Sequence, residues 1–267
     1  MCISQGGAAD IHAHCWANHI LGNPSHSPTL EILVGNTEIL ALEDTHLSLT
    51  GAEMHASIDD KVIPNWSSFT LKKGQHLKLR YASSGLRSYL AIKGGFKATS
   101  VLNSVSTVLR NDIGSNLQDG STLHNNLTDS SIHYKRVPSK FIPKYNSELT
   151  INVISGSPSA LFTQTFTVSP NTDRTGVRLF TDTPLPSGSG IISESNPLGT
   201  IQLPPDGNPI ILLNDRQTQG GYQKLGYVTK VDLAKIAQAR PGTILRFKKA
   251  SLTEAREAWI KFLKFFI

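Results

Sequence analysis

Hydrogen-bonding side chains are concentrated in residues 214–224, directly after the apolar run 210–213. Gly220 and Gly221 lack side chains, so their backbone N–H groups can approach a ligand closely. The side chains of this segment that can bind carboxylate, amide or phosphate oxygens are Arg216, Gln217, Thr218 and Lys224. This chemistry is that of a binding site for a small polar molecule.

An unusually polar surface loop would show the same composition. Loops carry function when a rigid strand presents them, and this loop is too rich in distinct hydrogen-bonding groups for a plain linker. Tyr222 adds a hydroxyl group and a ring face. We therefore favour a site here over a solvated loop.

A second polar cluster lies upstream, where Arg174 and Arg178 are four residues apart beside Asp173. Two such arginines could hold an anion with paired hydrogen bonds. They could equally form structural ion pairs at a turn, and the sequence leaves both possibilities open. Glu194 precedes the main block and could supply an acid, a base or neither.

The N-terminal segment brings His12, Cys15 and His19 to one face of a predicted helix. Zinc sites use these ligand types, but no carboxylate is placed to complete the set. We predict no metal site. Cys2 and Cys15 are too few for a disulfide framework, and no secretory signal is visible, so we expect a cytoplasmic protein.

The net charge of +6 resides almost wholly in one tail. Residues 240–267 carry seven basic and two acidic side chains, five of the six net charges. A charge confined to one tail is usually a solvated face, so we predict no nucleic-acid partner. No apolar run approaches the ~18 residues of a membrane span, so no membrane association is expected either.

Short strands must position these residues. Alternation predicts a half-buried hairpin over 68–81 with a Lys-Gly turn. Three helices are predicted, over 9–21, 231–240 and 252–265. The other predicted strands are 30–34, 38–43, 88–93, 149–154, 161–168, 177–180, 199–203, 209–213 and 243–248.

Standard nucleotide and hydrolase motifs are missing from the sequence. It has no P-loop, no Gly-x-Ser-x-Gly, no His-Glu-x-x-His and no Cys-x-x-Cys. Any handling of ATP by this chain would therefore not use a P-loop.

Several blocks together resemble the allophanate hydrolase subunit 2 family, also described as biotin-dependent carboxyltransferase-like. The likeness spans nearly the whole chain. The blocks that carry it are 85–96 (GLRSYLAIKGGF), 101–107 (VLNSVST), 171–179 (NTDRTGVRL), 192–194 (ISE), 199–213 (GTIQLPPDGNPIILL), 215–224 (DRQTQGGYQK) and 237–247 (AQARPGTILRF).

The resemblance implies a mainly β fold of two cyclophilin-like β-barrel domains with a few short helices. We place an N-terminal domain at 1–135 and a C-terminal domain, which carries the main polar loop, at 136–267. The polar stretch 124–148 would connect them. The family normally begins with an additional strand, so the resemblance implies a first barrel lacking that strand.

Stand-alone bacterial members of the family, which this chain most resembles, act with a B subunit and an A subunit as an ATP-hydrolysing 5-oxoprolinase. The resemblance thus implies a heteromeric complex that uses ATP, with Mg²⁺, to open 5-oxo-L-proline to L-glutamate. Biotin would be used only under the alternative activity, carboxyl transfer in a urea carboxylase or allophanate hydrolase system. A third possibility is regulation of a histidine-kinase inhibitor.

The implied chemistry assigns roles to the polar residues. ATP would phosphorylate the lactam oxygen and so make the ring carbon electrophilic before water attacks. Arg216 and Lys224 would neutralise phosphate or carboxylate, and Tyr222 and Asp215 would handle protons. The residues expected to bind substrate are Gln217, Thr218, Gly220, Gly221, Arg174, Arg178, Glu194 and Gln202. One family loop, Ser-Arg-Ser-Thr-Asp, reads SVSTV at 104–108, which removes its basic and acidic members.

Overall fold

A computed structural model describes residues 3–114, 116–126, 133–154, 160–188 and 190–266. The chain divides into two compact units. The barrel unit comprises residues 1–9, 107–113 and 146–265, and the two-sheet unit comprises 10–106, 114–145 and 266–267. These units interleave along the chain, whereas the sequence suggested a single boundary at 135/136, which stays a prediction.

The two-sheet unit begins with one helix, followed by eight strands. One sheet has the order β1-β8-β3-β6 and the other β2-β7-β4-β5, with all pairs antiparallel. The elements are α1 (Ile11–Leu21), β1 (Leu30–Leu33), β2 (Thr37–Leu40), β3 (Thr45–Glu53), β4 (Ser57–Ile58), β5 (Lys61–Val62), β6 (Ser67–Leu71), β7 (His76–Leu79) and β8 (Ser84–Ile92).

The first helix is fixed at both ends by its own sequence. Asp10 caps the N-terminus by accepting a hydrogen bond from the Ala13 N–H at 3.0 Å. Gly22 ends the helix with a left-handed backbone, which glycine adopts without strain. The predicted helix over 9–21 is therefore confirmed to within two residues.

The predicted hairpin over 68–81 is wrong, although both of its strands exist. β6 pairs with β3, whereas β7 pairs with β2 and β4 in the other sheet. Alternation reports which face of a strand is buried, and it does not report the partner strand. The Lys-Gly turn therefore passes the chain from one sheet to the other.

Part of the polar stretch 124–148 packs on a strand. The Ser68 N–H donates to the Lys135 carbonyl at 2.8 Å, and the Val137 N–H donates to the Trp66 carbonyl at 2.9 Å. These bonds extend the edge of β6 by a short irregular segment, so this part of the predicted connection lies within the two-sheet unit. Residues 127–132 of that stretch lie outside the described residues.

The barrel unit contains a closed barrel with strand order β10-β11-β14-β13-β16-β9-β17. β17 returns to β10, and only the β9–β17 pair is parallel within this barrel. The remaining strands are β9 (Glu148–Ile154), β10 (Thr165–Thr172), β11 (Gly176–Phe180), β12 (Glu194–Ser195), β13 (Thr200–Leu203), β14 (Ile210–Leu212), β15 (Gln219–Gly220), β16 (Gln223–Val228) and β17 (Ile244–Lys249).

Three further helices occur in the second half of the described chain: α2 (Ala160–Thr163), α3 (Leu233–Gln238) and α4 (Leu252–Phe266). The predicted helices 231–240 and 252–265 are thus confirmed, while the predicted strand 161–168 is wrong at its start, where α2 forms instead. Two single-turn 3₁₀ helices lie at Leu109–Asn111 and Ser139–Phe141.

Inward-facing apolar side chains of the barrel strands form a core that includes the fully buried Phe166, Ile201, Ile211 and Leu245. Burial of this kind of surface is the main driving force for folding. The mainly β fold class is therefore confirmed, with one closed barrel among the described residues and two four-stranded sheets in the other unit.

Candidate functional site

A cavity of about 540 Å³ opens in the barrel unit. Its volume is in the range of small-molecule sites, about 300–1,000 Å³. Pro170, Ile210 and Leu212 contribute apolar surface. The remaining lining residues are Asn171, Thr172, Asp173, Thr175, Gly176, Arg178, Gln202, Gln217 and Tyr222.

The turn between β10 and β11 shapes one wall of this cavity. The Asp173 side chain accepts hydrogen bonds from the backbone N–H groups of Thr175 at 2.7 Å and Gly176 at 3.1 Å, which closes the turn. A Cβ atom on Gly176 would lie 3.0 Å from both Ile210 Cγ2 and the Ile211 carbonyl oxygen. Glycine therefore lets β11 approach β14 closely at the cavity.

Two buried side-chain amides form a directed relay behind the cavity wall. The backbone carbonyl oxygen of Gln217 can only accept a hydrogen bond, so the Asn196 Nδ2 atom 3.5 Å away is the donor. Asn196 Oδ1 then accepts from Gln202 Nε2 at 3.1 Å. This fixes the orientation of Gln202, whose buried Oε1 atom has no hydrogen-bond partner among the residues that the structure describes. A buried acceptor without a partner favours a ligand or water that can donate to it.

A glycine makes room for this relay. β12 pairs with β15 so that Glu194 lies opposite Gly220. A Cβ atom on Gly220 would lie 2.8 Å from Asn196 Nδ2 and 2.9 Å from Gln202 Nε2. Glycine at position 220 therefore permits two amide groups to meet, while its expected backbone contact with a ligand stays a prediction.

Arg216 is directed away from solvent and is only 8% exposed. Its Nε donates to the Asn196 carbonyl at 2.8 Å and its Nη1 donates to the Leu213 carbonyl at 3.4 Å. Burial lowers the pKa of this guanidinium. The backbone of Arg216 is also held, because Ser4 Oγ donates to its carbonyl at 2.8 Å. These contacts make Arg216 a group that positions the loop.

The two predicted anion-binding arginines are each paired with a carboxylate. Arg174 makes a two-point pair with Asp215, Nε to Oδ2 at 2.9 Å and Nη2 to Oδ1 at 3.2 Å. Its Nη2 also donates to the Gly7 carbonyl at 2.6 Å. Arg178 pairs with Asp206 at the cavity wall. The sequence left open whether these arginines hold an anion or form ion pairs at a turn; the contacts observed are ion pairs with aspartates.

Lys224 lies next to the short β12–β15 ladder. Its Nζ contacts Glu194 Oε2 at 3.0 Å and donates to the Ser195 carbonyl at 2.7 Å. Thr218 is held through its backbone, whose carbonyl accepts from the Asn196 N–H at 2.8 Å. Gly221 packs against the Ile191 carbonyl, where a Cβ atom would lie at 2.8 Å.

Four of the twelve predicted site residues therefore line the cavity: Arg178, Gln202, Gln217 and Tyr222. The other eight (Arg174, Glu194, Asp215, Arg216, Thr218, Gly220, Gly221 and Lys224) are not among its lining residues. Sequence reasoning missed Asn171, Thr172, Asp173 and Thr175 as a wall, and it missed Asn196. The first four lie in the 171–179 block, in which only the two arginines were predicted to bind a ligand. No sequence signal distinguishes Asn196.

The N-terminal histidines pack within the two-sheet unit. Trp16 Nε1 donates to His12 Nε2 at 3.2 Å, and burial lowers the pKa of His12 to about 4. Burial, together with the Asp10 charge, raises the pKa of the Cys15 thiol to about 12. Across the described residues, no group of three or more His, Cys, Asp or Glu side chains is placed to hold a metal ion. No helix in the described part of the chain is long and apolar enough to cross a membrane.

The closed barrel and its cavity define a β-barrel protein with a candidate small-molecule site. The chain belongs to the family described as carboxyltransferase domain, subdomain A and B, which matches residues 1–249. This confirms the family resemblance seen in the sequence.

Relatives in this family fall into two groups. The chain is 33% identical to the C subunit of the 5-oxoprolinase of Haemophilus influenzae, over 95% of this chain and 85% of that protein. It is 31% identical to the corresponding C subunit of Escherichia coli, over 96% and 86%. It is also 27% identical to urea amidolyase of Saccharomyces cerevisiae, over 98% of this chain but only 16% of that protein.

A solved structure agrees on the fold. The urea carboxylase of Kluyveromyces lactis superposes on all of this chain with a TM-score of 0.91, using 27% of its own length at 24% identity.

Proposed function

We propose that this chain is a subunit of an ATP-dependent 5-oxoprolinase, which opens 5-oxo-L-proline to L-glutamate, and that the barrel cavity takes the lactam. Similarity to the named relatives supports this activity and, as an alternative, carboxyl transfer to urea. Both substrates are small amides, so both would use the donors and acceptors of a polar cavity.

The observation that carries the choice is the apolar surface within the cavity. Pro170, Ile210 and Leu212 line it together with the polar side chains. A five-membered lactam has ring methylene groups that bury favourably against such a surface, whereas urea has none. A cavity with both kinds of surface therefore fits the lactam better.

Three residues would contact the lactam under this proposal. Gln202 Oε1 would accept the ring N–H, which would supply the partner that this buried atom lacks. Because that atom is covered from solvent, a neighbouring side chain has to turn aside first. Tyr222, which is 42% exposed, is free to change rotamer on a fast timescale. Gln217 and Tyr222 would hold the lactam oxygen.

The cavity does not fit a triphosphate with its magnesium ion. Its one lining arginine, Arg178, is paired with Asp206, and its lining carboxylate, Asp173, is already engaged by the backbone N–H groups of Thr175 and Gly176. The neighbouring Arg174 and Lys224 are likewise paired with carboxylates. We therefore propose that homologues of the 5-oxoprolinase A and B subunits supply the ATP site. The predicted phosphate-binding roles of Arg216 and Lys224 would require their present contacts to break.

Biotin-dependent carboxyl transfer to urea is the second candidate. It is favoured by the family description and by the urea amidolyase relatives. Under that function a biotinylated carrier would compete with 5-oxoproline for the cavity, and urea would replace 5-oxoproline as the ligand.

The test is reconstitution with A and B subunit homologues, followed by assay of 5-oxoproline-dependent ATP hydrolysis and glutamate release. Gln217→Ala should lower kcat/KM by about 10-fold or more, because it removes a side chain that contacts substrate. Gln219→Ala is the matched control, since it makes the same change two residues away, outside the cavity lining.

Absence of turnover in a complex that contains all three wild-type subunits would contradict the proposal. Turnover with urea and a biotinylated carrier would favour the alternative. Equal activity of the Gln217 and Gln219 variants would remove the cavity as the substrate site.

A further inference from the structure

A short segment from the middle of the sequence folds with the barrel unit. Residues 107–113 belong to this unit, although they are preceded and followed by residues of the other unit. The segment contains the 3₁₀ helix Leu109–Asn111, on which Arg110 is exposed. Arg110 Nη1 donates to Gln217 Oε1 at 3.3 Å. Since Gln217 lines the cavity, this places a guanidinium group beside it.

The position of Arg110 is fixed by the backbone around it. Val108 and Ile113 exchange two backbone hydrogen bonds at 2.8 and 3.2 Å, which closes the loop that carries the arginine. Asn111 Oδ1 accepts from the Ser4 N–H at 3.1 Å, and Ser4 also bonds the Arg216 carbonyl at 2.8 Å. The loop of Arg110 and the loop of Gln217 are thus held by a common residue.

The charge of Arg110 is not neutralised by a nearby carboxylate within the described residues. Three basic groups near the cavity are paired with carboxylates in the described part of the chain: Arg174 with Asp215, Arg178 with Asp206, and Lys224 with Glu194. The buried Arg216 donates to backbone carbonyls instead. The neutral amide of Gln217 is the side-chain partner that Arg110 has. A cation that contacts a cavity-lining residue and makes no ion pair within the described residues favours a ligand that brings its own negative charge.

We propose that Arg110 binds the carboxylate of the ligand and makes the cavity specific for anionic lactams over neutral amides such as urea or an unsubstituted lactam. This inference rests on the proposed function and adds a specificity residue to it. The guanidinium can turn from Gln217 Oε1 to a carboxylate and form a charge-assisted pair, which is stronger than its bond to a neutral amide. Gln217 would then be released to contact the lactam.

The test uses the reconstituted complex and two ligands, 5-oxo-L-proline as substrate and 2-pyrrolidinone as a competitor that lacks only the carboxylate. Arg110→Gln should raise KM for 5-oxo-L-proline by about 10- to 100-fold, the range of a hydrogen bond to a charged group. The inhibition constant of 2-pyrrolidinone should stay within about 2-fold, because that ligand has no carboxylate to lose. Arg110→Lys should restore part of the KM, since it keeps the charge without the planar fork.

Arg246→Gln on β17 is the matched control, because it removes the same charge from an exposed position of the barrel unit that is not among the cavity-lining residues. A KM unchanged by Arg110→Gln, in a wild-type complex that turns over 5-oxoproline, would overturn this inference and leave the proposed function standing. Weaker binding of both ligands by the same factor would show that Arg110 has a structural role, and it would also overturn the inference. A wild-type complex with no turnover of 5-oxoproline would instead remove the proposed function.

Discussion

The two units use their buried polar groups in different ways. In the two-sheet unit, the Asp10 N–H donates to the Tyr89 hydroxyl at 2.7 Å, and that hydroxyl donates to Glu31 Oε2 at 2.7 Å. Glu31 also lies 3.4 Å from the buried Arg87 Nε. In the barrel unit, the amide relay ends at the unpartnered Gln202 Oε1. The polar contacts of the two-sheet unit converge on the Glu31 carboxylate, whereas those of the barrel unit end at the cavity.

The difference separates groups that hold the fold from groups that are left for a ligand. Burial and the nearby charges of Glu31 and Asp10 raise the pKa of the Tyr89 phenol, which keeps it protonated and able to donate. A closed cluster of this kind resists change because each removal leaves a buried group without a partner. Around the amide relay of the barrel unit we expect the opposite: loss of a side chain should affect ligand binding more than the free energy of unfolding.

The largest effect is expected in the closed cluster. Glu31→Ala should lower the free energy of unfolding by about 3–5 kcal/mol, because it removes the carboxylate that accepts from Tyr89 and lies beside the buried Arg87. Glu38→Ala is the matched control; its partner His76 and Glu38 itself are both about half exposed, and loss of such a pair should cost at most about 1 kcal/mol. Denaturant unfolding followed by tryptophan fluorescence measures both. Equal losses would mean that the buried cluster is not a special source of stability.

Acidification should also weaken the two-sheet unit through His12. Burial depresses the pKa of this imidazole from 6.5 to about 4, so the unfolded chain binds a proton that the native state refuses. The free energy of unfolding should therefore fall as pH drops from about 6.5 to 4, by at most about 3 kcal/mol for this group.

His12→Gln removes that titration and retains an acceptor for Trp16, and unfolding at pH 7, 5.5 and 4.5 measures the effect. The stability advantage of the wild type over this variant should shrink at lower pH. His55→Gln changes an exposed histidine and serves as the control. A wild-type advantage that grows on acidification would contradict the assignment.

A smaller effect is expected at the open relay. Gly220→Ala should cost about 1–3 kcal/mol, because its new methyl group would overlap the amides of Asn196 and Gln202. Gly188→Ala is a suitable control, since its nearest neighbour would lie 3.9 Å away. The comparison is sharpened by also measuring KM for 5-oxo-L-proline. In the Gly220 variant, the rise in KM expressed as a free energy should exceed the loss in the free energy of unfolding. No change in either quantity would show that the relay is unimportant.

Much of the fold was predictable from sequence, and the failures have a physical cause. The predicted helices over 9–21 and 231–240 lie within two residues of the observed ends of α1 and α3. The nine-residue β3 was missed although Leu47 and Leu49 alternate there with His46, Ser48 and Thr50. Both faces of this strand are buried, the polar one included. Ser48 and Thr50 on this strand donate to carbonyls of α1 at 2.6 and 2.7 Å. Because β3 was not predicted, β6 was paired with β7, the next predicted strand along the chain.

The candidate site was predictable in its location but not in its details. Gln217 and Tyr222 of the polar block after β14 line the cavity, and so do Arg178 and Gln202 from the rest of the predicted set. Arg216 looked like a ligand-binding group because arginines in polar loops are usually exposed, yet here backbone carbonyls surround it. Arg110 could not be found from sequence, because only the fold brings residues 107–113 to Gln217.

The most direct test of the central claim is a crystal structure of this chain, together with its A and B subunit homologues, soaked with 5-oxo-L-proline. The account predicts the lactam in the barrel cavity, with its N–H within hydrogen-bond distance of Gln202 Oε1 and its ring methylenes against Ile210 and Leu212. Lactam bound at saturating concentration in another place, with the cavity holding only water, would contradict it.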